Sequence, residues 1–128
     1  AREKGDWAKA QDAFARLLKD NPADALAKAG QAQSGLLGRV AADPAADTAP
    51  LYADAHPDDV TAQLRAADFE VAAGRPDAGF ARLTAAVARS AGPDRDTLRT
   101  RLLELFDTLD PADPIVLKAR RDLATALF

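Results

Sequence analysis

The stretch GDWAKAQDAFARLLKDNP, Gly5 to Pro22, decides how this chain is read. Ala10, Phe14, Leu17 and Leu18 recur at helical spacing and form one apolar stripe over about Asp6 to Lys19. Asn21-Pro22 ends that helix, because proline disfavours helical backbone at the residue before it. The same outline returns from Gly74-Arg75-Pro76-Asp77 to Ala86-Val87. There Gly79 takes the small position held by Ala10, and Leu83 takes the large position held by Phe14. Gly74 follows Gly5 by 69 residues, about twice a period of roughly 34 residues that belongs to one class of helical repeat.

Both segments resemble the second half of a tetratricopeptide repeat. The expected fold is all-α, a tetratricopeptide-repeat-like α-solenoid of antiparallel helix pairs with its first repeat truncated. Few residues precede Gly5, so the helix that pairs with the first half-repeat is expected upstream of this chain. Composition agrees. Alanine supplies 32 of 128 residues, while valine and isoleucine together supply six. Alanine favours helix and lets helices approach closely; a sheet has little to build on. One domain is expected over 1–128, with repeats in 1–92 and a terminal helix pair in 93–128.

Between the two half-repeats a helix is expected from about Asp24 to Val40, weakened by Gly30, Gly35 and Gly38, and Gly38 reads either as a close-packing position or as the start of the exit. Pro44 and Pro50 break the segment from Ala41 to Pro57 into a loop and a short helix from Pro50 to about Ala55. A helix from about Pro57 to Ala73 ends at Gly74. The next, Pro76 to Ser90, carries Ala78, Gly79, Leu83, Ala86 and Val87. Ala91-Gly92-Pro93 separates it from Asp94 to Leu109. Asp113 and Pro114 then cap and open the last helix, to Leu127. Leu102 and Phe106 are expected to anchor the terminal pair on the helix at 76–90.

Charge and residue usage exclude several kinds of chemistry. The net charge is −3, with no basic field for nucleic acid. No apolar run approaches the roughly 20 residues of a membrane span. There is no cysteine and one histidine, His56, which rules out zinc–thiolate and thiol redox sites within the chain. The carboxylate pairs Asp58-Asp59, Asp94/Asp96 and Asp110/Asp113 fall at helix starts and turns, where capping accounts for them. Arg95, Arg99 and Arg101, with Lys118, Arg120 and Arg121, read as a solvated face balanced by Glu104, Asp107 and Asp122. Trp7 is expected to pack over a helix start. No residue set points to catalysis, a metal or a cofactor.

What remains is a binding surface. Leu26, Ala29, Gln33, Leu37, Leu64, Asp68 and Val71 are expected to line a shallow, mixed and rather apolar groove suited to hydrophobic segments. Leu26, Leu64 and Val71 fit equally a contact with the helix expected upstream, and the sequence leaves both open. A carboxylate clamp, which needs lysine and asparagine on the first helix of each repeat, is matched only by Arg65 among Ala29, Gly30, Gln33, Thr61, Arg65 and Asp68. Arg120, Arg121, Leu127 and Phe128 form a second candidate surface at the carboxy terminus. Self-association through the truncated amino-terminal end is a further expectation.

From Ala66 onward the chain resembles one family more closely. The strings Ala67-Asp68-Phe69-Glu70-Val71-Ala72-Ala73-Gly74-Arg75 and DTLRTRLLELF (Asp96 to Phe106) carry the likeness, with Asp113-Pro114-Ile115-Val116 and Ala119-Arg120-Arg121-Asp122-Leu123-Ala124. They resemble the carboxy-terminal half of the thioredoxin-like co-chaperones, or chaperedoxins. The resemblance implies a thioredoxin-fold domain upstream. It also implies a cytoplasmic bacterial protein that binds unfolded or oxidation-damaged clients and passes them to a chaperonin. A generic repeat scaffold that docks one defined protein is the alternative.

Overall fold

In the computed structural model, which describes residues 4–128, seven α-helices follow in order: α1 (Lys4–Asp20), α2 (Ala25–Ala42), α3 (Ala49–Ala55), α4 (Val60–Ala72), α5 (Pro76–Ala88), α6 (Gly92–Phe106) and α7 (Pro114–Leu127). A 3-10 turn at Ala46–Thr48 leads into α3. No strand occurs among the described residues. The fold is the α-solenoid of antiparallel neighbours that the sequence indicates.

Local chemistry sets the helix ends. The side chains of Asp24, Asp59 and Asp113 accept from the backbone N–H of Ala27, Ala62 and Ile115, satisfying donors that each first turn leaves unpaired. Pro50, Pro76, Pro93 and Pro114 sit in first turns, where a missing N–H costs nothing. Gly74, at φ 83°, stops α4, and Arg75 N–H closes back on Glu70 O at 2.8 Å.

Several expected helix ends move. Helix α4 starts at Val60, because Asp59 rather than Pro57 caps it. Helix α6 starts at Gly92 and ends at Phe106, so Leu109 lies beyond it yet still packs against the core. Helix α2 continues to Ala42, and Gly38 lies inside it rather than at its exit. Packing explains why α2 tolerates its glycines. A Cβ on Gly30 would stand 2.5 Å from the Phe14 ring, and one on Gly38 would stand 3.1 Å from Trp7 Cβ. Trp7, in the first turn of α1, therefore meets α2 near its carboxy-terminal end.

The main core lies among α4, α5, α6 and α7. Phe80, Leu83, Val87, Leu98, Leu102, Leu105, Phe106 and Val116 are fully buried there. Phe80 meets Phe106 edge-on, with ring centroids 4.9 Å apart. The anchor on α5 therefore includes Phe80, which the expected apolar positions omit. A second cluster, Ala49, Ala53, Ala62 and Ala66, is all alanine and seats the short helix α3 on α4. Helices α4 and α5 cross at Gly79, where a Cβ would stand 2.8 Å from Val71 Cγ2 and 3.0 Å from the Ala67 carbonyl oxygen.

Two stability changes follow. Phe106→Ala should cost about 3–5 kcal/mol in urea unfolding; a loss below about 1 kcal/mol would mean that the ring is not a core residue. Gly79→Ala, which in an open helix gains about 0.5–1 kcal/mol, should lower the melting temperature, because a backbone carbonyl cannot move aside. An unchanged or raised value would contradict the close crossing.

Candidate partner-binding site

Helices α2, α4 and α6 pack on one another, and the clefts between them hold most of the residues singled out above. Asp43 of α2's carboxy-terminal cap meets Arg65, Arg39 meets Asp68, and Leu37 shares a cleft with Val71. The order reverses along α4, so the two helices run antiparallel.

At the centre is the carboxylate of Asp68, 4% exposed. Arg39 of α2 donates to it through Nε at 2.9 Å and Nη2 at 3.1 Å, and Arg101 of α6 through Nη1 at 2.7 Å. Glu104 accepts from Arg39 Nη1 at 3.3 Å and closes the ring of charges. Burial works against the charge on Arg39, but Asp68 and Glu104 outweigh it and raise its pKa above the ordinary value. Arg101 is thus not part of a solvated face: it reaches across to α4.

A cleft of about 460 Å³ opens beside this bar, lined by Arg39, Val40, Asp43, Pro44, Leu64, Arg65, Asp68 and Arg101 among others. Arg65 donates two hydrogen bonds to Asp43, at 2.7 and 2.8 Å. That pairing holds the Asp43 carboxyl below the usual carboxylate range, and the Ala45 N–H adds to it. A second cleft, of about 270 Å³, is lined by Gln33, Leu36, Leu37, Val71, Gly74, Pro76, Thr108 and Leu109. Gln33 spends its amide on the Thr108 carbonyl oxygen at 3.1 Å.

The seven expected groove residues therefore divide. Leu64 and Asp68 line the arginine-rimmed cleft; Gln33, Leu37 and Val71 line the apolar one. Leu26, Ala29, Gln33 and Leu37 recur at three- and four-residue steps on α2, which puts them on one face. Leu26 on that face is 85% exposed. Of the terminal candidates, Arg120 lies 4.9 Å over the Phe106 ring, Leu127 packs partly against the core, Arg121 is exposed, and Phe128 projects fully into solvent.

A second polar network, centred on Arg82, is barely legible in the sequence. Arg82 of α5, 12% exposed in its side chain, donates to Glu70 at 2.7 Å, to Gln63 at 3.0 Å and to Asp54 at 2.9 Å. Gln63 in turn donates to the Ala53 and His56 carbonyls at the end of α3. Glu70 and Gln63 fall on the buried side of α4 amid alanines, which is the one signal that marks them. His56 stacks on Tyr52, with ring centroids 4.1 Å apart, and its Nδ1 lies 2.8 Å from the Tyr52 carbonyl oxygen, so it serves the end of α3.

The Asp43–Arg65 pair is open to titration. Because its pKa is depressed, the interaction is intact above the ordinary carboxylate pKa and is lost only as pH falls through the lowered one. Carbon-detected NMR should find the Asp43 midpoint below 3.8, and Arg65→Gln should move it upward. An unmoved midpoint would show that the pair does not form in solution.

Comparison with known proteins places this architecture. Three curated mycobacterial proteins, one from Mycobacterium bovis and two from Mycobacterium tuberculosis strains, are described only as uncharacterized. Each is 41% identical over 126 residues, which cover 98% of this chain and 41% of the relative. The chain thus spans about two fifths of the length of these relatives. No solved structure matches. The family model for the tetratricopeptide repeat matches residues 39–128, from the end of α2 through α7. The chain belongs to the tetratricopeptide-repeat family.

Proposed function

We propose that this chain is the partner-binding helical domain of a thioredoxin-like co-chaperone of the bacterial cytoplasm. In this reading it holds segments of unfolded or oxidation-damaged proteins and hands them to a chaperonin. Tetratricopeptide repeats are protein-interaction scaffolds, and that much follows from the family. The observation that carries the finer reading is the open apolar face of α2, Leu26 to Leu37, leading into the cleft with Val71 and Leu109. Apolar side chains left open beside a cleft suit side chains that a folded protein hides and an unfolded one exposes. The mycobacterial relatives are more than twice as long as the shared span, which accommodates the thioredoxin-fold domain that the resemblance implies.

The second reading, a scaffold for one defined partner, has its own support. The arginines beside Leu64 are held in place by ion pairs before anything binds. Preorganised charge favours specificity over breadth.

Light scattering separates the two. A chemically unfolded reporter enzyme, diluted into buffer with the chain at equal concentration, should aggregate more slowly than without it. Mass spectrometry of proteins retained from a bacterial lysate should find chaperonin together with many unrelated proteins. Unchanged aggregation with one stoichiometric partner would replace the co-chaperone by the scaffold.

A further inference from the structure

The segment 43–57 carries α2 over to α4 by way of the Ala46–Thr48 turn and α3. A helix of seven residues does not stand alone in water and depends on what it packs against. Helix α3 lies chiefly against α4, and the apolar contact is Ala49 and Ala53 on Ala62 and Ala66, a cluster separate from the main core. Its larger apolar side chains, Leu51 and Tyr52, are 78% and 49% exposed. Alanine buries little area, so this contact alone holds the segment weakly. Polar side chains do the fastening. At one end Arg65 of α4 forks onto Asp43 at 2.7 and 2.8 Å. At the other, Gln63 donates to the Ala53 and His56 carbonyls, Arg82 to Asp54, and Arg89 to the Pro57 carbonyl at 2.7 Å. Water can replace each of these bonds, so each contributes a fraction of its strength in isolation.

We propose that the segment 43–57 is a latch, which lifts from α4 as one unit while α4 to α7 stay folded and α2 stays docked through Arg39 on Asp68. Its two ends act together because backbone hydrogen bonds run from one clamp into α3: the Ala46 N–H to Asp43, the Thr48 N–H to Ala45 and the Ala49 N–H to Ala46. The edges of the latch wall two clefts. Asp43, Pro44 and Ala46 border the arginine-rimmed one, and Ala53, Asp54 and Pro57 border another, of about 420 Å³, along α5. Opening removes one wall of each and bares the alanine face of α4, so the latch sets the width of both.

Amide hydrogen exchange followed by NMR tests this on the chain and two variants at partly exposed positions. The amides of residues 53–56 should exchange at least about a hundredfold faster than those of Leu83 and Val87 in α5, because a unit that opens alone does so below the free energy of global unfolding. Arg65→Gln releases Asp43 at the near end, yet should speed exchange at 53–56 about two- to fivefold, the weight of one partly exposed ion pair. Asp54→Asn weakens the far clamp and should speed the amides of Ala46 and Ala49 to a similar extent. Leu83 and Val87 should keep their rates in both variants, which shows that the fold is intact. Equal protection of 53–56 and α5 would mean that the segment opens only with the whole molecule, and overturns the inference. So does a parallel change at Leu83 and Val87. Effects confined to the end where each substitution is made also overturn it, since the ends would then fray independently.

Discussion

One carboxylate, that of Asp68, joins three helices. A carboxylate taken out of water costs several kcal/mol unless it is paired and hydrogen-bonded. Asp68 is compensated by Arg39 from α2 and Arg101 from α6, with Glu104 completing the balance. The geometry admits few alternatives. If α2 turned by one residue, about 100° around its axis, Arg39 would leave the carboxylate and a buried charge would stand alone. The interaction contributes less to net stability than to choosing one register of α2 on α4 and α6. That register decides which side chains face the clefts, so both candidate surfaces depend on it.

Small residues let the rest of the molecule close around this contact. Gly30 and Gly38 admit Phe14 and Trp7, Gly79 admits the α4 backbone, and the apolar contact of α3 with α4 is built from alanines. An interface of alanines buries little area per residue, so by itself it holds a seven-residue helix weakly. Arg82 supplies what the alanines lack, reaching from α5 through Glu70 and Gln63 to Asp54 of α3. Every buried side-chain nitrogen and oxygen among the described residues finds a partner. The polar groups inside this thin core are therefore part of its construction.

Helix identities are legible in the sequence because the signals that set them are local. Asp113 before Pro114, or Gly74 after Ala73, marks a helix end within two or three residues of chain. The apolar stripe of α6 is read from its period. Phe80 is absent from the expected core although it completes the face with Leu83 and Val87, because the crossing position at Gly79 sets the expected face one residue aside. The ion pairs are illegible for another reason. Asp68 finds its arginines 29 and 33 residues away, and Arg82 finds Asp54 at 28. No periodicity within a helix says which distant charge will arrive opposite. Arg101 consequently reads as one of several surface cations until α4 is placed beside it. The expected groove divides into two clefts because the Arg39–Asp68–Arg101 bar stands between its members.

Leu102, Leu105, Phe106 and Leu123 of the terminal segment are core residues, so that stretch of sequence reports how the terminal pair packs. The two clefts are set by the contacts of Asp68. The direct test is a double-mutant cycle on unfolding free energy with Arg39→Met, Asp68→Asn and both together. A shared buried carboxylate predicts a coupling of about 1–3 kcal/mol. A coupling below about 0.5 kcal/mol would contradict it, and the three helices would have to owe their arrangement to apolar packing alone.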